Sequence, residues 1–273
     1  MPSVTLARPS VWLVGEAEHP DFAEVVALLR ETADIGPQPP ELIVVAQSRP
    51  GVFAARDIDG LRRSAPLAGV VALLGSWCEG ESRSGRPAAG VSRLYWYEFP
   101  NWWRRQLALR AAGRRPEWAR PAASEEQGAD PLRGCPGREQ GVIGGTIAID
   151  TVCFDTAMAL ADVLQSAGAD AIWVRPGREA DLSGVTFGIW EGGQLGDAEA
   201  ERLAAFCTKL TTNSAPVVAL LDFPRRDRCK VARQAGAAAV MGKPWLNVDL
   251  VDMIRHLSRR EVNAAHSQPS WAA

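Results

Sequence analysis

The first part of the chain alternates short apolar runs with segments that are apolar on one helical face. SVWLVG (10–15), ELIVVA (41–46) and AGVVALLGS (68–76) are short and rich in β-branched residues, as expected for buried parallel strands. RLYWYEF (93–99) is predicted as a fourth strand, and a modest helix is predicted over 57–64. The helix opened by Pro20 and Asp21 has apolar residues at helical spacing: Phe22, Val25, Val26, Leu28 and Leu29.

The same alternation restarts near residue 145 and continues almost to the end of the chain. Five apolar runs are predicted as strands: GTIAID (145–150), DAIWV (170–174), VTFGIW (185–190), APVVALL (215–221) and AAAVM (237–241). The segments between and after them are predicted as helices, over 155–168, 198–210, 225–234 and 249–258.

Apolar strands that alternate with amphipathic helices predict an α/β protein with parallel sheets covered on both faces. The pentapeptide VVALL occurs at 70–74 and again at 217–221, in the same slot of the two alternating patterns. We therefore expect a duplicated fold, with two tandem flavodoxin-like, doubly wound sheets.

A change of composition divides the two halves. Residues 104–144 are rich in Arg, Ala, Gly and Pro and show no sustained period, which predicts a linker that is helical only near 106–112. The predicted organisation is a first domain at 1–103, the linker at 104–144, a second domain at 145–260 and a disordered tail at 261–273.

Composition excludes several classes of protein. An apolar share of 47% is that of a globular protein with a core, and a net charge of -2 gives no general attraction to nucleic acid or anionic membrane. No apolar run has the roughly 18 to 20 residues that a membrane span needs. Five cysteines without a CxxC pair are typical of reduced thiols, so a cytoplasmic location is expected.

The stretch AGAAAVMGKPW (235–245) carries a resemblance to a known family. It combines a helix end, a short strand and Lys243-Pro244, and it follows the strand APVVALL and a helix. This order resembles the last third of a response-regulator receiver domain, and SRPG (48–51) is similar to the segment after the family's third strand. The resemblance implies an aspartyl-phosphate site, in which strand-end carboxylates hold Mg²⁺, an aspartate accepts the phosphoryl group, and a hydroxyl and a lysine contact its oxygens.

In the second half, this site is only partly kept. Asp150 ends the first strand but is followed by Thr151, and Trp190 or Glu191 occupies the position of the phosphoacceptor. Leu221 stands where the hydroxyl is expected, with Asp222 next to it, whereas Lys243 and Pro244 are intact. Glu191 paired with Lys243 would imitate the phosphorylated state, and such a pair contributes about 0 to 1 kcal/mol if it is exposed.

In the first half, Ala46 occupies the phosphoacceptor position and cannot accept a phosphoryl group. Glu16 and Glu18 resemble the acidic pair after the first strand, although two solvated glutamates in a loop is the simpler interpretation. Ser76 could serve as the hydroxyl, and Phe99-Pro100 replaces Lys-Pro. This half is interpreted as a receiver-like scaffold without the reaction.

Two further segments are candidates for function. The loop SWCEGESRSGRP (76–87) places Cys78 beside charged residues that could activate a thiol, although a charged surface loop is the preferred interpretation. Trp96, Trp102 and Trp103 lie close to Arg104 and Arg105, a composition enriched at protein interfaces. Stacking on single-stranded nucleic acid ranks well behind a protein contact.

The sequence thus predicts a non-catalytic signalling or regulatory protein that binds another signalling protein or a second copy of itself. No membrane or nucleic-acid partner is expected, and no cofactor beyond weak Mg²⁺ binding. Two alternatives stay open: a receiver phosphorylated on Asp222 or Asp150, and an enzyme that uses the Cys78 loop.

Overall fold

The computed structural model describes residues 7–81, 90–120, 142–175 and 177–266, with side chains up to residue 258. The chain divides into two compact units, Met1–Pro136 and Gly137–Ala273. Each unit contains its own five-stranded sheet and is described separately below.

The first unit is built on a wholly parallel sheet with the strand order β2-β1-β3-β4-β5. The central strand β3 is buried along its whole length, which explains why its sequence is apolar from Leu42 to Ala46. The strands are β1 (Ser10–Gly15), β2 (Asp34–Ile35), β3 (Leu42–Gln47), β4 (Gly69–Leu74) and β5 (Ser92–Tyr95).

Three α-helices of the first unit are described, namely α1 (Ala23–Thr32), α2 (Ala55–Ser64) and α3 (Phe99–Ala111). Short 3-10 segments cover Pro20–Phe22, Ser76–Cys78 and Glu117–Ala119. Helix α1 buries Val25, Val26 and Leu29, which lie on the apolar face predicted from the sequence.

The predicted strand 93–99 is wrong beyond Tyr95, because the chain turns there and enters α3. The Glu98 carboxylate accepts a hydrogen bond from the Tyr95 backbone N–H at 2.8 Å. Pro100 lies in the first turn of α3, where a missing N–H leaves no helical bond unmade. The domain boundary drawn after residue 103 therefore falls inside a helix.

The aromatic residues of this segment form part of the core of the first unit. Trp102 and Trp103 are 4% and 0% exposed, and their rings lie 5.8 and 5.2 Å from that of Trp118. The Trp103 indole N–H donates to the Thr32 hydroxyl of α1 at 2.8 Å. Residues 104–120 thus belong to the first unit rather than to a linker, while 121–141 lie outside the described residues.

The second unit repeats the same strand order, β7-β6-β8-β9-β10, and all its strand pairs are parallel. Its core includes Ile149, Phe187 and Ile189 from the sheet and Leu250 and Ile254 from the last helix. The strands are β6 (Thr146–Asp150), β7 (Asp170–Val174), β8 (Val185–Glu191), β9 (Val217–Asp222) and β10 (Ala239–Lys243).

The four α-helices described in this unit are α4 (Phe154–Ser166), α5 (Asp197–Thr211), α6 (Arg226–Gln234) and α7 (Asn247–His266). Helix α7 extends beyond residue 260, where the second domain was predicted to end, and residues 267–273 lie outside the described residues. Among the described residues, no helix combines the length and apolarity needed to cross a lipid bilayer.

Both sheets have the order 2-1-3-4-5 when strands are counted within each unit, which is the flavodoxin-like doubly wound order. The two VVALL segments lie in β4 and β9, the fourth strand of each unit. The predicted fold class, two tandem doubly wound α/β sheets, is confirmed.

Candidate functional site

The carboxyl edge of the second sheet gathers four charged residues. Asp150, Glu191, Asp222 and Lys243 are the last residues of β6, β8, β9 and β10. In a parallel sheet, the carboxyl ends of neighbouring strands lie at the same edge, which is where doubly wound proteins bind their ligands.

Lys243 lies between two of these carboxylates. It is the register partner of Asp222, and its Nζ lies 2.9 Å from Asp222 Oδ1. It also reaches past β9 to donate to Glu191 Oε1, while Glu191 Oε2 accepts a hydrogen bond from the Thr151 hydroxyl at 2.8 Å. Of the two sequence candidates for the phosphoacceptor position, Glu191 is the one that contacts Lys243.

The Lys243–Glu191 pair is more buried than a surface ion pair, with side-chain exposures of 20% and 12%. Burial acts to lower the pKa of Lys243, but hydrogen bonds and charge attraction from Glu191 and Asp222 outweigh it, so the pKa is raised. Lys243 is therefore cationic at neutral pH. The figure of about 0 to 1 kcal/mol applies to an exposed ion pair, so it does not apply to Lys243 and Glu191.

Asp150 pairs with a different cation, Arg202 of α5, at 3.5 Å. Burial raises the pKa of Asp150, and the positive charges of Arg202 and Lys209 only partly offset this. Arg202 also donates to the Glu191 backbone oxygen at 2.6 Å and lies over the Trp190 ring. The four strand-end residues thus form two neighbouring ion-pair systems rather than one acidic pocket.

Backbone contacts fix the loop after β8. Glu199, in the first turn of α5, accepts hydrogen bonds from the backbone N–H groups of Gly193 and Gly196 at 2.7 and 3.3 Å. The Gly193 oxygen in turn accepts from the Asp222 N–H at 2.9 Å. Pro244 follows Lys243 through a cis peptide bond and is exposed.

The sequence interpretation missed Arg202 and the role of Thr151. Arg202 lies in a predicted helix, but helical periodicity does not say which strand end a long side chain reaches. Thr151 was noted only as a replacement for a second acid. Among the described residues, no group of three or more His, Cys, Asp or Glu side chains is arranged to hold a metal ion.

The first sheet has a different arrangement at the same edge. Glu16, directly after β1, accepts hydrogen bonds from the Ser48 hydroxyl at 2.6 Å and the Ser48 N–H at 3.0 Å. These bonds, with smaller contributions from Arg49 and His19, lower the pKa of Glu16. Ala46 is fully buried near the end of β3, and Glu18 is exposed.

Glu16 and Glu18 therefore do not form a matched acidic pair. The second acid held at this edge is Asp21, which is 8% exposed and accepts a hydrogen bond from the Ser76 N–H at 2.8 Å. The Ser76 hydroxyl accepts one from the Trp96 indole at 3.2 Å. Asp21 was considered only as a helix-opening residue in the sequence.

The interaction candidates Trp96, Trp102 and Trp103 are all at most 5% exposed. Trp102 and Trp103 lie on α3 and pack in the core of the first unit, and Trp96 lies in the turn before that helix. A binding surface needs side chains that a partner can reach, and the exposed tryptophan among the described residues is Trp77, at 70%.

Cys78 does not have the properties of an activated thiol. It is fully buried, and burial raises its pKa rather than lowering it. Its Sγ lies 3.7 Å from Gln47 Nε2, which also lies 3.3 Å from both carboxylate oxygens of Glu81. Residues 82–89 of the Cys78 loop lie outside the described residues.

Comparison with known proteins gives fold-level likenesses. The chain is similar to a response-regulator receiver domain protein of Clostridium thermocellum, at 16% identity and a TM-score of 0.37, over 44% of this chain and 98% of that one. A receiver domain of a signal transduction histidine kinase from Syntrophus aciditrophicus is 20% identical, with a TM-score of 0.34, over 47% and 97% of the two chains.

A chemotaxis protein of Vibrio cholerae is 16% identical, with a TM-score of 0.35, over 41% of this chain and 96% of that one. No family model matches the chain, and neither does any curated protein. The TM-scores of all three matched structures lie below 0.5. The fold class accordingly rests on the strand order of the two sheets.

Proposed function

We propose that the chain is a non-catalytic signalling protein of receiver type, in which the second unit is held in one state by its own side chains. The observation that supports this is the contact of Lys243 with Glu191, at the edge where a receiver would carry its phosphoryl group. The Glu191 carboxylate supplies a permanent negative charge, and the Thr151 hydroxyl bonds to its other oxygen.

The ion pairs also oppose phosphoryl transfer. A Mg²⁺ ion in such a site needs several oxygen ligands and keeps its own waters. Here the Lys243 ammonium already binds Glu191 and Asp222, and Asp150 is paired with Arg202. A metal ion would have to displace the Lys243 ammonium or the Arg202 guanidinium to reach these carboxylates.

The first test is titration of the full chain with Mg²⁺ and beryllofluoride, which mimics a phosphoryl group, followed by tryptophan fluorescence. Trp190 is fully buried under Arg202, so a change in the Asp150–Arg202 pair should alter its emission. We expect no saturable change. A saturable, Mg²⁺-dependent change that disappears in Lys243→Ala would overturn the proposal.

Asp222 favours one alternative, since it lies 2.9 Å from Lys243 and its side chain is 44% exposed. A receiver that is phosphorylated on Asp222 would gain the mass of one phosphoryl group on exposure to acetyl phosphate. Under the proposal, intact-protein mass spectra before and after exposure are the same. A gain in mass that Asp222→Asn removes and Asp227→Asn retains would establish the alternative.

The output of the second unit is proposed to be a protein contact, either with a signalling partner or with a second copy of this chain. Glu191→Gln removes the permanent charge, and Glu201→Gln removes an exposed glutamate on the same helix as Arg202. Sedimentation velocity of both variants tests self-association. A change in Glu191→Gln alone would indicate that the carboxylate controls assembly.

A further inference from the structure

A cavity of about 550 Å³ lies at the carboxyl edge of the first sheet. Three neighbouring strands contribute to it, through the residues that follow β1, β3 and β4. Its lining consists of Glu16, His19, Ser48, Arg49, Pro50 and Trp77. A volume of this size falls within the range of about 300 to 1,000 Å³ that is typical of small-molecule sites.

The position of the cavity also favours a ligand. The strand that follows β1 in the chain, β2, lies toward one edge of the sheet, whereas the strand that follows β3, β4, lies toward the other edge. The order of strands across the sheet therefore reverses between the parallel neighbours β1 and β3. Doubly wound proteins bind ligands in the crevice at this switch point.

Trp77 provides an aromatic surface at the cavity. It lies in the 3-10 segment Ser76–Cys78 and is 70% exposed, whereas the next residue, Cys78, is fully buried. It is the most exposed tryptophan whose burial the structure describes. An indole ring presented in this way can stack on the face of a planar ligand.

The polar part of the lining combines hydrogen-bond donors with the Glu16 carboxylate. His19 Nδ1 accepts a hydrogen bond from the Asp21 N–H at 3.3 Å, so a neutral ring carries its proton on Nε2 and donates from there. Arg49 is exposed, and its guanidinium can bind a carboxylate or phosphate through two parallel hydrogen bonds. Glu16 already uses one carboxylate oxygen to bind Ser48.

We propose that this cavity binds a small aromatic anion, whose ring stacks on Trp77 and whose carboxylate or phosphate group contacts Arg49 and His19. The first unit would then respond to a metabolite-sized ligand. This goes beyond the proposed function of the second unit and does not depend on it.

The test uses the full chain and probes that separate the two halves of the ligand. Indole-3-acetate carries an aromatic ring with a carboxylate, and AMP carries one with a phosphate, while indole and acetate are single-feature controls. Saturation-transfer NMR and calorimetry give the affinities. We expect at least one combined probe to bind more than tenfold more tightly than indole and acetate.

Two variants locate the site. Trp77→Ala and Arg49→Gln are each expected to weaken binding of the combined probe tenfold or more, whereas Arg56→Gln, at an 89% exposed side chain on α2, should not. Both Trp77 and Arg49 are exposed, so circular dichroism should show that these variants keep their fold.

The preference between indole-3-acetate and AMP shows whether a carboxylate or a phosphate is recognised. Absence of binding by both probes at millimolar concentration would overturn the proposal, as would binding that Trp77→Ala and Arg49→Gln leave unchanged. Equal affinity for indole and indole-3-acetate would overturn the anionic part of it.

Discussion

Lys243 illustrates how one cation can hold the ends of three strands together. It lies on β10, contacts its register partner Asp222 on β9, and reaches Glu191 on β8. Since the pKa of Lys243 is raised in the folded state, its stabilising contribution is complete below the unfolded pKa, about 10.4, and is lost only as pH rises through the higher folded pKa.

Replacement of Lys243 by methionine should destabilise the second unit. It leaves the mostly buried Glu191 carboxylate without its cation, which is expected to cost about 1 to 3 kcal/mol of unfolding free energy. Lys230→Met, at an exposed lysine on α6, is the control and should change little. Amide hydrogen exchange of β8 and β10 measures the difference, and equal protection in the two variants would contradict the prediction.

Asp150→Asn should become more stable relative to the wild type as pH rises. Burial raises the pKa of Asp150 in the folded state, so the unfolded chain releases this proton first. The wild type therefore loses unfolding free energy between the unfolded pKa, about 3.9, and the higher folded pKa, and the asparagine variant does not. The apparent Tm of Asp150→Asn relative to wild type should rise from about pH 4 to pH 7.

A matched control for this pH dependence is Asp181→Asn. Hydrogen bonds from the Ser183 side chain and backbone lower the pKa of Asp181, so ionisation of Asp181 favours the folded state. The Tm of Asp181→Asn relative to wild type should thus fall as pH rises toward the unfolded pKa, about 3.9, and should change little above it. A fall in the relative Tm of Asp150→Asn between pH 4 and pH 7 would show that burial does not dominate at Asp150.

At the scale of single residues, the sequence predicts which residues end the strands better than it predicts which side chains contact them. Glu191 and Lys243 could be identified because they follow apolar runs whose ends must meet at one edge of the sheet. Arg202 could not, because its contact with Asp150 depends on how α5 packs over the sheet. Trp102 and Trp103 were named as interaction candidates because the sequence pattern did not show that a helix begins at Phe99.

Among the elements, α3 and the segment 117–119 complete the first unit. Gly69, at the start of β4, lies against the backbone of Trp118, and a Cβ atom at this glycine would lie 2.6 Å from the Trp118 oxygen. Trp118 stacks on Trp103 of α3. The glycine therefore allows the chain beyond α3 to pack on the sheet.

Gly69→Ala should destabilise the first unit by about 1 to 3 kcal/mol, because rigid backbone on the opposite side has to move. Gly60→Ala is the matched control within α2, where the nearest atom is the end of the Arg63 side chain at 3.9 Å. That change should stabilise the unit by about 0.5 to 1 kcal/mol, since alanine favours a helix. Urea unfolding of both variants tests the pair, and a stabilising Gly69→Ala would contradict the packing described.

Element prediction succeeded where apolar runs are bounded by loops and failed where aromatic residues continue from a strand into a helix. All five strands of the second unit were predicted within a few residues. In RLYWYEFPNWW, alternation and helical spacing both bury aromatic residues, so the pattern alone did not locate the change at Phe99. The two-residue β2 is too short for any periodicity.

For the whole molecule, the two separate sheets predict two independent folding units. Fragments 1–136 and 137–273 should each melt cooperatively by circular dichroism, because each contains its own sheet and core. Fragment 1–103 cuts α3 and removes Trp118, so it should lose the cooperative transition. A cooperative melt of 1–103 near the Tm of 1–136 would contradict this account.

The Glu191–Lys243 pair also determines how long the negative charge at this edge of the sheet lasts. A phosphoryl group is added and removed within the life of one protein molecule, and its lifetime sets how long a signal lasts. A carboxylate that belongs to the chain is present from synthesis until degradation. On the proposed function, the second unit keeps no record of recent events, and the cell can vary its output only through the number of copies that it makes and destroys.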